Sequence, residues 1–280
     1  MPWRTVLGKQ MSSDLPKISV VTPSFNQAEF LERTLRSVLD QGYPNLEYIV
    51  IDGGSTDGSV DVIRKYEGRL AYWVSEPDRG QAHAINKGLQ RATGEWVAWQ
   101  NSDDVYYPGV FNDIARASAR HPEAELLIGN MMIIDAQDNE IRDVRYATPS
   151  HAAMRAEGMV MVNQAAFWRR RIHDEVGWLE ETLQCSFDYE WFLRLTEKHR
   201  GVHVNRIWGG FRLHGATKTS KWAQRFGEEN AQILQGRQFP HWKVRLYQLR
   251  RIALMLGQGN MGYVLRGLVR RMQGKRGMLY

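Results

Sequence analysis

The chain has 280 residues, enough for one large domain or two small ones. Apolar residues make up 43% of it and aromatic residues 11%, which supports a packed core and excludes a wholly disordered chain. Its single cysteine, Cys185, excludes an internal disulfide and a zinc site built from several thiolates. No apolar stretch is long enough to predict a membrane-spanning helix.

The net charge of +6 is distributed unevenly along the chain. Residues 230–280 contain ten of the 37 basic residues and no acidic residue, which leaves 27 basic against 31 acidic residues in residues 1–229. A nucleic-acid-binding domain would carry positive charge on its folded body, so nucleic acid is not expected as a partner. We expect a flexible leader over residues 1–14 without the apolar stretch of a secretory signal, a folded domain over residues 15–229 and a basic helical tail over residues 230–280.

Strands and helices alternate through the first third of the chain. Apolar, β-prone segments predict strands at Lys17–Thr22, Leu46–Ile51, Tyr72–Val74 and Trp96–Trp99. Between them, apolar residues spaced three or four apart predict helices, including one over Gln81–Ala92 and one with an apolar face of Leu31, Leu35, Val38 and Leu39. This alternation predicts an α/β fold, with a mostly parallel sheet and helices on both faces.

Polar turns follow the predicted strands. The carboxyl ends of parallel strands open onto one crevice, so the turns after Thr22, Ile51 and Val74 should lie beside Asp103 and Asp104. That last loop, Asn101-Ser102-Asp103-Asp104, offers hard oxygen ligands of the kind that suit Mg²⁺ or Mn²⁺. The alternative interpretation is an ordinary turn, since Asn, Ser and Asp are common turn residues.

After Asp104 the alternation of strands and helices changes. The pattern predicts a helix over Val110–Arg120 and then a hairpin of Leu126–Ile134 with Glu140–Tyr146. A short strand at Gln164–Trp168, a helix that begins near Asp188, and two short strands at Val202–Ile207 and Gly209–Arg212 follow.

Several candidate site residues have ordinary structural explanations as well. Asp52 ends a strand, where an acid could hold a ribose or stabilise a turn, and the glycine fingerprint of a dinucleotide site is missing after the first strand. Asp188 could simply favour the N-terminus of its helix. His214 could be a packing or surface residue, and Lys87 could lie on a solvated helix face.

The motifs taken together resemble the inverting, nucleotide-sugar-dependent glycosyltransferases of GT-A family 2. The similarity is strongest over residues 17–109 and weaker beyond. The segments that carry it are Val20–Asn26, Val50–Ser59, Asp78–Gly80, Asn86–Gly88, Gln100–Asp104, Asn163-Gln164, Phe187–Glu190 and Phe211–His214.

The resemblance implies a Rossmann-like GT-A fold with a basic helical extension, and a set of functional residues. Asp188 would be the catalytic base, and Asp103, Asp104 and His214 would bind Mn²⁺ or Mg²⁺. The donor nucleotide sugar would be bound by Pro23, Ser24, Asn26, Asp52, Asp78, Arg79, Lys87, Asn101, Ser102, Gln164, His214 and Lys218.

Two positions depart from the family pattern. Asn101 occupies the position at which family members commonly have the first Asp of the metal-binding motif. Phe187 occupies the position before the catalytic Asp, where the family usually has Glu. These departures leave open a second hypothesis, a sugar-nucleotide-binding or scaffolding protein without catalysis. A phosphohydrolase would need more clustered carboxylates, and a nucleotidyltransferase would need a glycine-rich loop after its first strand.

The leading hypothesis is a metal-dependent inverting glycosyltransferase in polysaccharide or glycolipid synthesis. The resemblance implies a nucleoside-diphosphate sugar donor, in which UDP is the commonest nucleotide of the family, and a glycan or lipid-linked acceptor. The single cysteine and the missing secretory signal predict a cytoplasmic location. The tail has two interpretations. Residues 237–280 could form a helical hairpin that packs on the body, or a basic amphipathic surface that lies on anionic lipid at the inner face of the membrane.

Overall fold

The computed structural model describes residues 15–215, 222–236 and 239–273. The predicted leader, 1–14, and Lys218 lie outside these ranges. Within them, the strands are β1 (Ile18–Ser24), β2 (Leu46–Asp52), β3 (Tyr72–Ser75), β4 (Trp96–Trp99), β5 (Val105–Tyr106), β6 (Leu126–Ile134), β7 (Glu140–Val144), β8 (Ala166–Arg169) and β9 (Gly201–Arg212). They form a single sheet in the order β3-β2-β1-β4-β8-β6-β9-β5, with β7 paired to β6.

The described helices flank this sheet and extend beyond it. They are α1 (Ala28–Leu39), α2 (Ser59–Tyr66), α3 (Gln81–Arg91), α4 (Val110–Arg120), α5 (His151–Glu157), α6 (Ile172–Val176), α7 (Phe187–Lys198), α8 (Ala223–Leu234), α9 (His241–Gly257) and α10 (Met261–Met272). The predicted α/β class is confirmed.

The first half of the sheet is parallel, as the alternation of strands and helices predicts. β1 lies between β2 and β4, and β3 pairs with β2. All seven residues of β1 are buried, because helices cover both faces of this half. A Cβ atom on Gly88 of α3 would lie 2.3 Å from Cγ1 of Val21, so the glycine allows α3 to pack closely on β1.

Every antiparallel pair involves a strand that follows Asp104. β8 pairs antiparallel with β4 and β6, β7 forms the predicted hairpin with β6, and β5 pairs antiparallel with β9. Residues 201–212 form one strand, β9, where the sequence suggested two. β9 stays paired with β6 across two register irregularities, near Ile128 and Asn130, which absorb the break that we expected around Trp208.

An aromatic cluster fixes α7 against the sheet. The ring centroids of Trp168 and Trp191 are 4.7 Å apart, and Phe192 stacks on Trp99 at 5.8 Å. All four side chains are essentially buried, so their packing gives α7 a defined position relative to β4 and β8. The N-terminus of α7, which carries Asp188, is therefore held at a fixed place beside the sheet.

The C-terminal helices attach to the body at separate points. α8 contacts α7, α9 contacts α5, and α9 and α10 pack on each other. Arg251 of α9 donates to Glu157 at 2.9 Å, and Arg266 of α10 donates to Asp143 at 3.1 Å. No helix in the described ranges is both long and apolar enough to cross a membrane.

Candidate active site

A cavity of about 570 Å³ opens beside the carboxyl ends of the parallel strands. Three of the four aspartates that we expected to meet there, Asp78, Asp103 and Asp188, contribute to its wall. Other predicted residues that line it are Pro23, Ser24, Asn101, Ser102, Asp104 and Gln164. Residues far apart in the sequence therefore share one site, as the sequence predicts from the strand ends.

Asp103, on the cavity wall, lies next to His214, which is not among the residues that line the cavity. Oδ2 of Asp103 and Nε2 of His214 are 3.0 Å apart, and the His214 ring packs against Phe30 at 4.5 Å between centroids. The Asp103 side chain is 21% exposed and the His214 side chain 7%, so the pair lies at the edge of the protein interior. A carboxylate and an imidazole at this distance can bind a common divalent cation.

Asp104 has different surroundings although it is the next residue. Its carboxylate accepts hydrogen bonds from the Arg212 backbone N–H at 2.8 Å, from Gln164 Nε2 at 2.7 Å and from Asn101 Nδ2 at 3.1 Å. Burial, together with the neighbouring Asp103, raises the pKa of Asp104, whereas the three donors oppose that rise. The Asp104 carboxylate therefore anchors the loop, whereas the Asp103 carboxylate lies beside His214.

Arg212 completes this anchor from β9. Its side chain is fully buried, and Nε donates to the backbone oxygen of Asp103 at 2.7 Å. Its Nη1 pairs with Asp138 at 2.5 Å and donates to the Asp135 backbone oxygen at 3.1 Å. One arginine thus joins the Asp103 loop to the turn between β6 and β7.

Asp52 does not line the cavity. It is fully buried, and its carboxylate accepts from Ser55 N at 2.8 Å, from Ser55 Oγ at 2.6 Å and from Ser75 Oγ at 2.7 Å. Asn26 is also off the lining, where its Oδ1 accepts from Thr56 N at 2.9 Å. Both side chains hold the loop after β2. To contact a ribose, each would have to give up the hydrogen bonds described here and form new ones with the ligand.

Asp78 faces the cavity beside the backbone of Gly53. Its Oδ1 accepts the Gly80 N–H at 2.7 Å, and a Cβ atom on Gly53 would lie 2.5 Å from Asp78 Oδ2. The glycine therefore leaves the space that the Asp78 carboxylate fills. Ser24 Oγ and Asn163 Nδ2 are buried at the same cavity without a hydrogen-bond partner in the described part of the chain, as expected for groups that meet a polar ligand.

Arg79 and Lys87 do not line the cavity. The Arg79 side chain is 70% exposed and pairs with Glu181 at 2.5 Å, and Lys87 pairs with Glu76. Asn86, which belongs to one of the segments that resemble the family, forms two hydrogen bonds with the backbone of Leu179. Its Nδ2 donates to the Leu179 oxygen at 2.9 Å, and its Oδ1 accepts the Leu179 N–H at 3.0 Å. Asn86 and Arg79 therefore hold the segment around residues 179–181, and Lys87 pairs with the segment after β3.

Asp188 occupies the first turn of α7, where its side chain lines the cavity together with Cys185 and Phe187. Its Oδ1 accepts the backbone N–H of Tyr189 at 2.7 Å, which orients the carboxylate. A negative charge here is also stabilised by the positive end of the helix dipole. The position suits a base that receives a proton from a hydroxyl in the cavity.

Glu229 of α8 is a residue that sequence reasoning missed. Its carboxylate accepts the backbone N–H groups of Gln184, Cys185 and Ser186 at 3.0, 2.9 and 2.8 Å, in the loop just before Asp188. Burial favours a raised pKa for Glu229, but these hydrogen bonds outweigh it and lower the pKa. Nothing in the local sequence marks this acid, because its partners lie more than forty positions away.

Two side chains near the cavity, Asp103 and His214, could hold a divalent ion. Among the described residues, no three His, Cys, Asp or Glu side chains form a cluster that could hold a metal ion. Asp103 and His214 offer two ligands, and a bound diphosphate and water would have to supply the others. That arrangement fits Mg²⁺ and Mn²⁺, which often take one or two protein ligands and complete their coordination with substrate phosphates.

Comparison with known proteins agrees with this geometry. Residues 19–177, more than half of the chain, match the family model described as Glycosyl transferase family 2. The chain belongs to glycosyl transferase family 2. The family and the enzyme class predicted from the motifs are therefore confirmed, and the chain is a glycosyltransferase by family.

Two relatives show how far the sequence similarity extends. The putative teichuronic acid biosynthesis glycosyltransferase TuaG of Bacillus subtilis is 43% identical over 99 residues, which is 34% of this chain and 39% of TuaG. An uncharacterized glycosyltransferase of Mycobacterium tuberculosis is 32% identical over 182 residues, 64% of this chain and 68% of that protein. The match to TuaG thus covers well under half of that relative.

Two solved structures share the fold. Staphylococcus aureus TarS 1–349 in complex with UDP-GlcNAc has a TM-score of 0.63 and 17% identity, over 82% of this chain and 70% of that one. The mannosyltransferase PcManGT of Pyrobaculum calidifontis, in complex with GDP-Man and Mn²⁺, has a TM-score of 0.60 and 20% identity, over 80% of this chain and 64% of that one. These likenesses confirm the GT-A fold.

Proposed function

We propose that this family 2 member transfers a sugar from a nucleoside-diphosphate sugar to an acceptor hydroxyl, in a metal-dependent reaction that inverts the anomeric configuration. The observation that carries the proposal is the shared cavity, which has Asp103 on its wall and Asp188 at the start of α7. A volume of about 570 Å³ is in the range of small-molecule sites, and the lining combines aromatic rings with polar or charged side chains on about half of its residues.

The donor would lie along the wall formed by the first strand ends. Pro23, Ser24 and Asp78 lie on the same cavity wall, so we assign them to the nucleoside. The unpartnered hydroxyl of Ser24 and amide of Asn163 would gain hydrogen bonds from a polar ligand, which favours binding because they are already desolvated. Asp52 and Asn26 would act indirectly, by holding the loop after β2.

Asp103 and His214 would hold Mn²⁺ or Mg²⁺ against the donor diphosphate. Such an ion, when bound, neutralises the negative charge that develops on the leaving diphosphate. Asp104, Arg212 and Gln164 keep the Asp103 loop in place through the contacts described above. These residues therefore fix the leaving-group side of the site.

Asp188 would act as the general base. Its carboxylate takes the proton of the acceptor hydroxyl while that oxygen forms a bond to the anomeric carbon. The bond from the anomeric carbon to the diphosphate oxygen breaks in the same step, and the nucleoside diphosphate leaves with the electron pair. Attack from the face opposite the leaving group inverts the configuration, so one displacement suffices.

Relatives guide the choice of substrates. A UDP donor is supported by the TarS complex with UDP-GlcNAc, whereas the PcManGT complex contains GDP-Man. An acceptor in a cell-envelope polysaccharide is supported by the name of TuaG, a putative teichuronic acid biosynthesis glycosyltransferase. We therefore propose a UDP-sugar donor and a glycan or lipid-linked acceptor at the cytoplasmic side of the membrane.

A thermal-shift panel tests donor binding first. Nucleoside diphosphates and their sugars are added with Mn²⁺, and a true donor at about 100 times its dissociation constant should stabilise the chain by about 2.7 kcal/mol. Release of nucleoside diphosphate with an acceptor present then tests catalysis. A clear shift without any release or hydrolysis would instead identify a sugar-nucleotide-binding protein, which the Asn101 and Phe187 departures leave open.

A further inference from the structure

Helix α9 exposes a stripe of apolar side chains along its whole length. Trp242, Leu246, Leu249 and Leu256 are 63%, 57%, 64% and 43% exposed, and the exposed Ala253 lies between the last two. These positions are three or four residues apart, so they lie on one face of the helix. An unbroken apolar line of this kind is unusual on a surface that meets only water.

Helix α10 repeats the same arrangement. Met261, Leu265, Leu268 and Met272 are 62%, 55%, 50% and 86% exposed, with the same spacing of four, three and four residues. Two consecutive helices thus present apolar stripes with the same period. Leu254 and Val269, 37% and 52% exposed, lie off the stripes and add to the exposed apolar area of the two helices.

The opposite face of α9 packs on the body, whereas α10, which has no buried residue, contacts the body through an ion pair. On α9, Met255 is 2% exposed and Arg251 pairs with Glu157 of α5 at 2.9 Å. On α10, Arg266 pairs with Asp143 of β7 at 3.1 Å. The helical-hairpin interpretation of the tail therefore describes the inner faces, and the stripes remain uncovered by the described residues.

The charges beside the stripes are of one sign. Residues 239–273 contain seven Lys and Arg residues and no Asp or Glu. At about 100° per residue, the exposed Arg245 and Arg250 lie on either side of the α9 stripe, and the exposed Arg271 lies beside the stripe of α10. Arginines that border an apolar line can reach headgroup phosphates while the apolar side chains enter the lipid.

We propose that the exposed face of α9 and α10 binds the surface of an anionic lipid bilayer. The positive charge of this face favours an anionic bilayer over a second copy of the chain, because two copies docked through the same face would place arginines against arginines. A bilayer with anionic headgroups instead offers the opposite charge. Trp242 at the start of α9 agrees with this, since tryptophan favours the boundary between lipid and water.

Co-sedimentation of the full chain with vesicles tests the proposal. We expect binding to vesicles that contain phosphatidylglycerol, and much weaker binding to vesicles of phosphatidylcholine alone. The double variant Arg245→Gln/Arg250→Gln should lower partitioning about fivefold for each arginine, and added salt should weaken binding of the unaltered chain. Equal partitioning onto both vesicle types would overturn the proposal.

The apolar stripes need variants of their own. Leu249→Glu and Leu265→Glu, each on an exposed face, should lower partitioning at least tenfold with an unchanged circular dichroism spectrum. Ile141→Glu is the matched control, because Ile141 of β7 is 53% exposed and lies outside both helices. If light scattering shows that the unaltered chain is a dimer that Leu249→Glu dissociates, the face joins two copies and the lipid proposal is wrong.

Binding of α9 and α10 to lipid would not depend on the proposed chemistry. Lipid binding is measured without donor or acceptor, so an inactive binding protein could still show it. Conversely, a loss of binding in Leu249→Glu with normal transfer to a short water-soluble acceptor would leave the catalytic proposal standing. The two proposals can therefore fail separately.

Discussion

Nε2 of His214 lies 3.0 Å from Oδ2 of Asp103, although 111 positions separate the two residues in the sequence. The contact is made possible by β9, which ends at Arg212 and brings His214 to the loop that follows β4. A cation site would thus combine one ligand from each half of the chain. Its integrity should depend on the pairing of β9 with the rest of the sheet.

The His214→Ala variant should bind Mn²⁺ about 10–100-fold more weakly in the presence of UDP, because the imidazole is one of two protein ligands that we propose. Thermal shift as a function of Mn²⁺ concentration measures this without an activity assay. His121→Ala is the control, since His121 is partly exposed and remote in the fold, at the end of α4. An unchanged Mn²⁺ midpoint in His214→Ala would remove His214 from the site.

Chelation should abolish transfer, and added Mn²⁺ or Mg²⁺ should restore it. Full activity in EDTA would contradict the metal assignment.

Substitution by Asn should have different effects at the two neighbouring aspartates, Asp103 and Asp104. Asp103→Asn should weaken Mn²⁺ binding with little change in melting temperature, because its carboxylate is partly exposed.

Asp104→Asn should lower the free energy of unfolding by about 1–3 kcal/mol, because an amide cannot accept from all three donors that surround the carboxylate. Denaturant unfolding of both variants measures the contrast. Equal stability of Asp103→Asn and Asp104→Asn would show that Asp104 does not anchor the loop.

Asp188→Asn should keep the fold and the donor-induced thermal shift but lower turnover by roughly 10²–10⁴-fold, since the amide cannot take the acceptor proton. Glu197→Gln on the same helix removes a similar charge from an exposed position and should leave turnover unchanged. Near-normal turnover in Asp188→Asn would assign the base elsewhere.

Glu229→Ala should lower kcat by about 10²-fold with little change in the KM for the donor, because it releases the loop that positions Asp188. Glu229→Gln keeps one acceptor oxygen and should recover part of the loss. Glu228→Ala, at an exposed position of the same helix, is the control. A fall in melting temperature with kcat unchanged would mean that Glu229 only stabilises the fold.

Glu47 should make stability depend on acid pH. Burial favours a raised pKa, but hydrogen bonds from Lys17, Ser19 and Thr93 outweigh it and lower the pKa to about 2. A carboxylate with a lowered folded-state pKa stabilises the fold above its ordinary pKa and loses that contribution as the pH falls toward the folded-state value. Glu47→Gln should therefore cost about 1.5–3 kcal/mol at neutral pH and progressively less below about pH 4.

The parallel half of the fold was predictable because its information is local. Apolar runs set the strands, periodic leucines such as Leu31 and Leu35 set the helices, and polar residues follow each strand end. The placement of Asp78, Asp103 and Asp188 at one cavity could be expected from that topology together with the family motifs.

The supporting contacts were not predictable, because each joins distant segments. Arg212 reaches back to Asp103 across 109 positions, and Glu229 reaches back to Ser186 across 43. Asp52 shows the opposite case, since its place at a strand end suggested a ligand contact. Hydroxyls of Ser55 and Ser75 surround it instead, and no sequence pattern marks that arrangement.

The pairing of β5 with β9 has a consequence for recombination between family members. β5 directly follows Asp104, yet Val105 pairs with Gly210 and Tyr106 with Gly209, far along the chain. A chimera joined at a single point between these strands would pair β5 of one parent with β9 of the other, and a mismatch there would displace the residue 212 backbone N–H from the Asp104 carboxylate. Folded chimeras between homologues should therefore be obtained more readily when both strands come from the same parent.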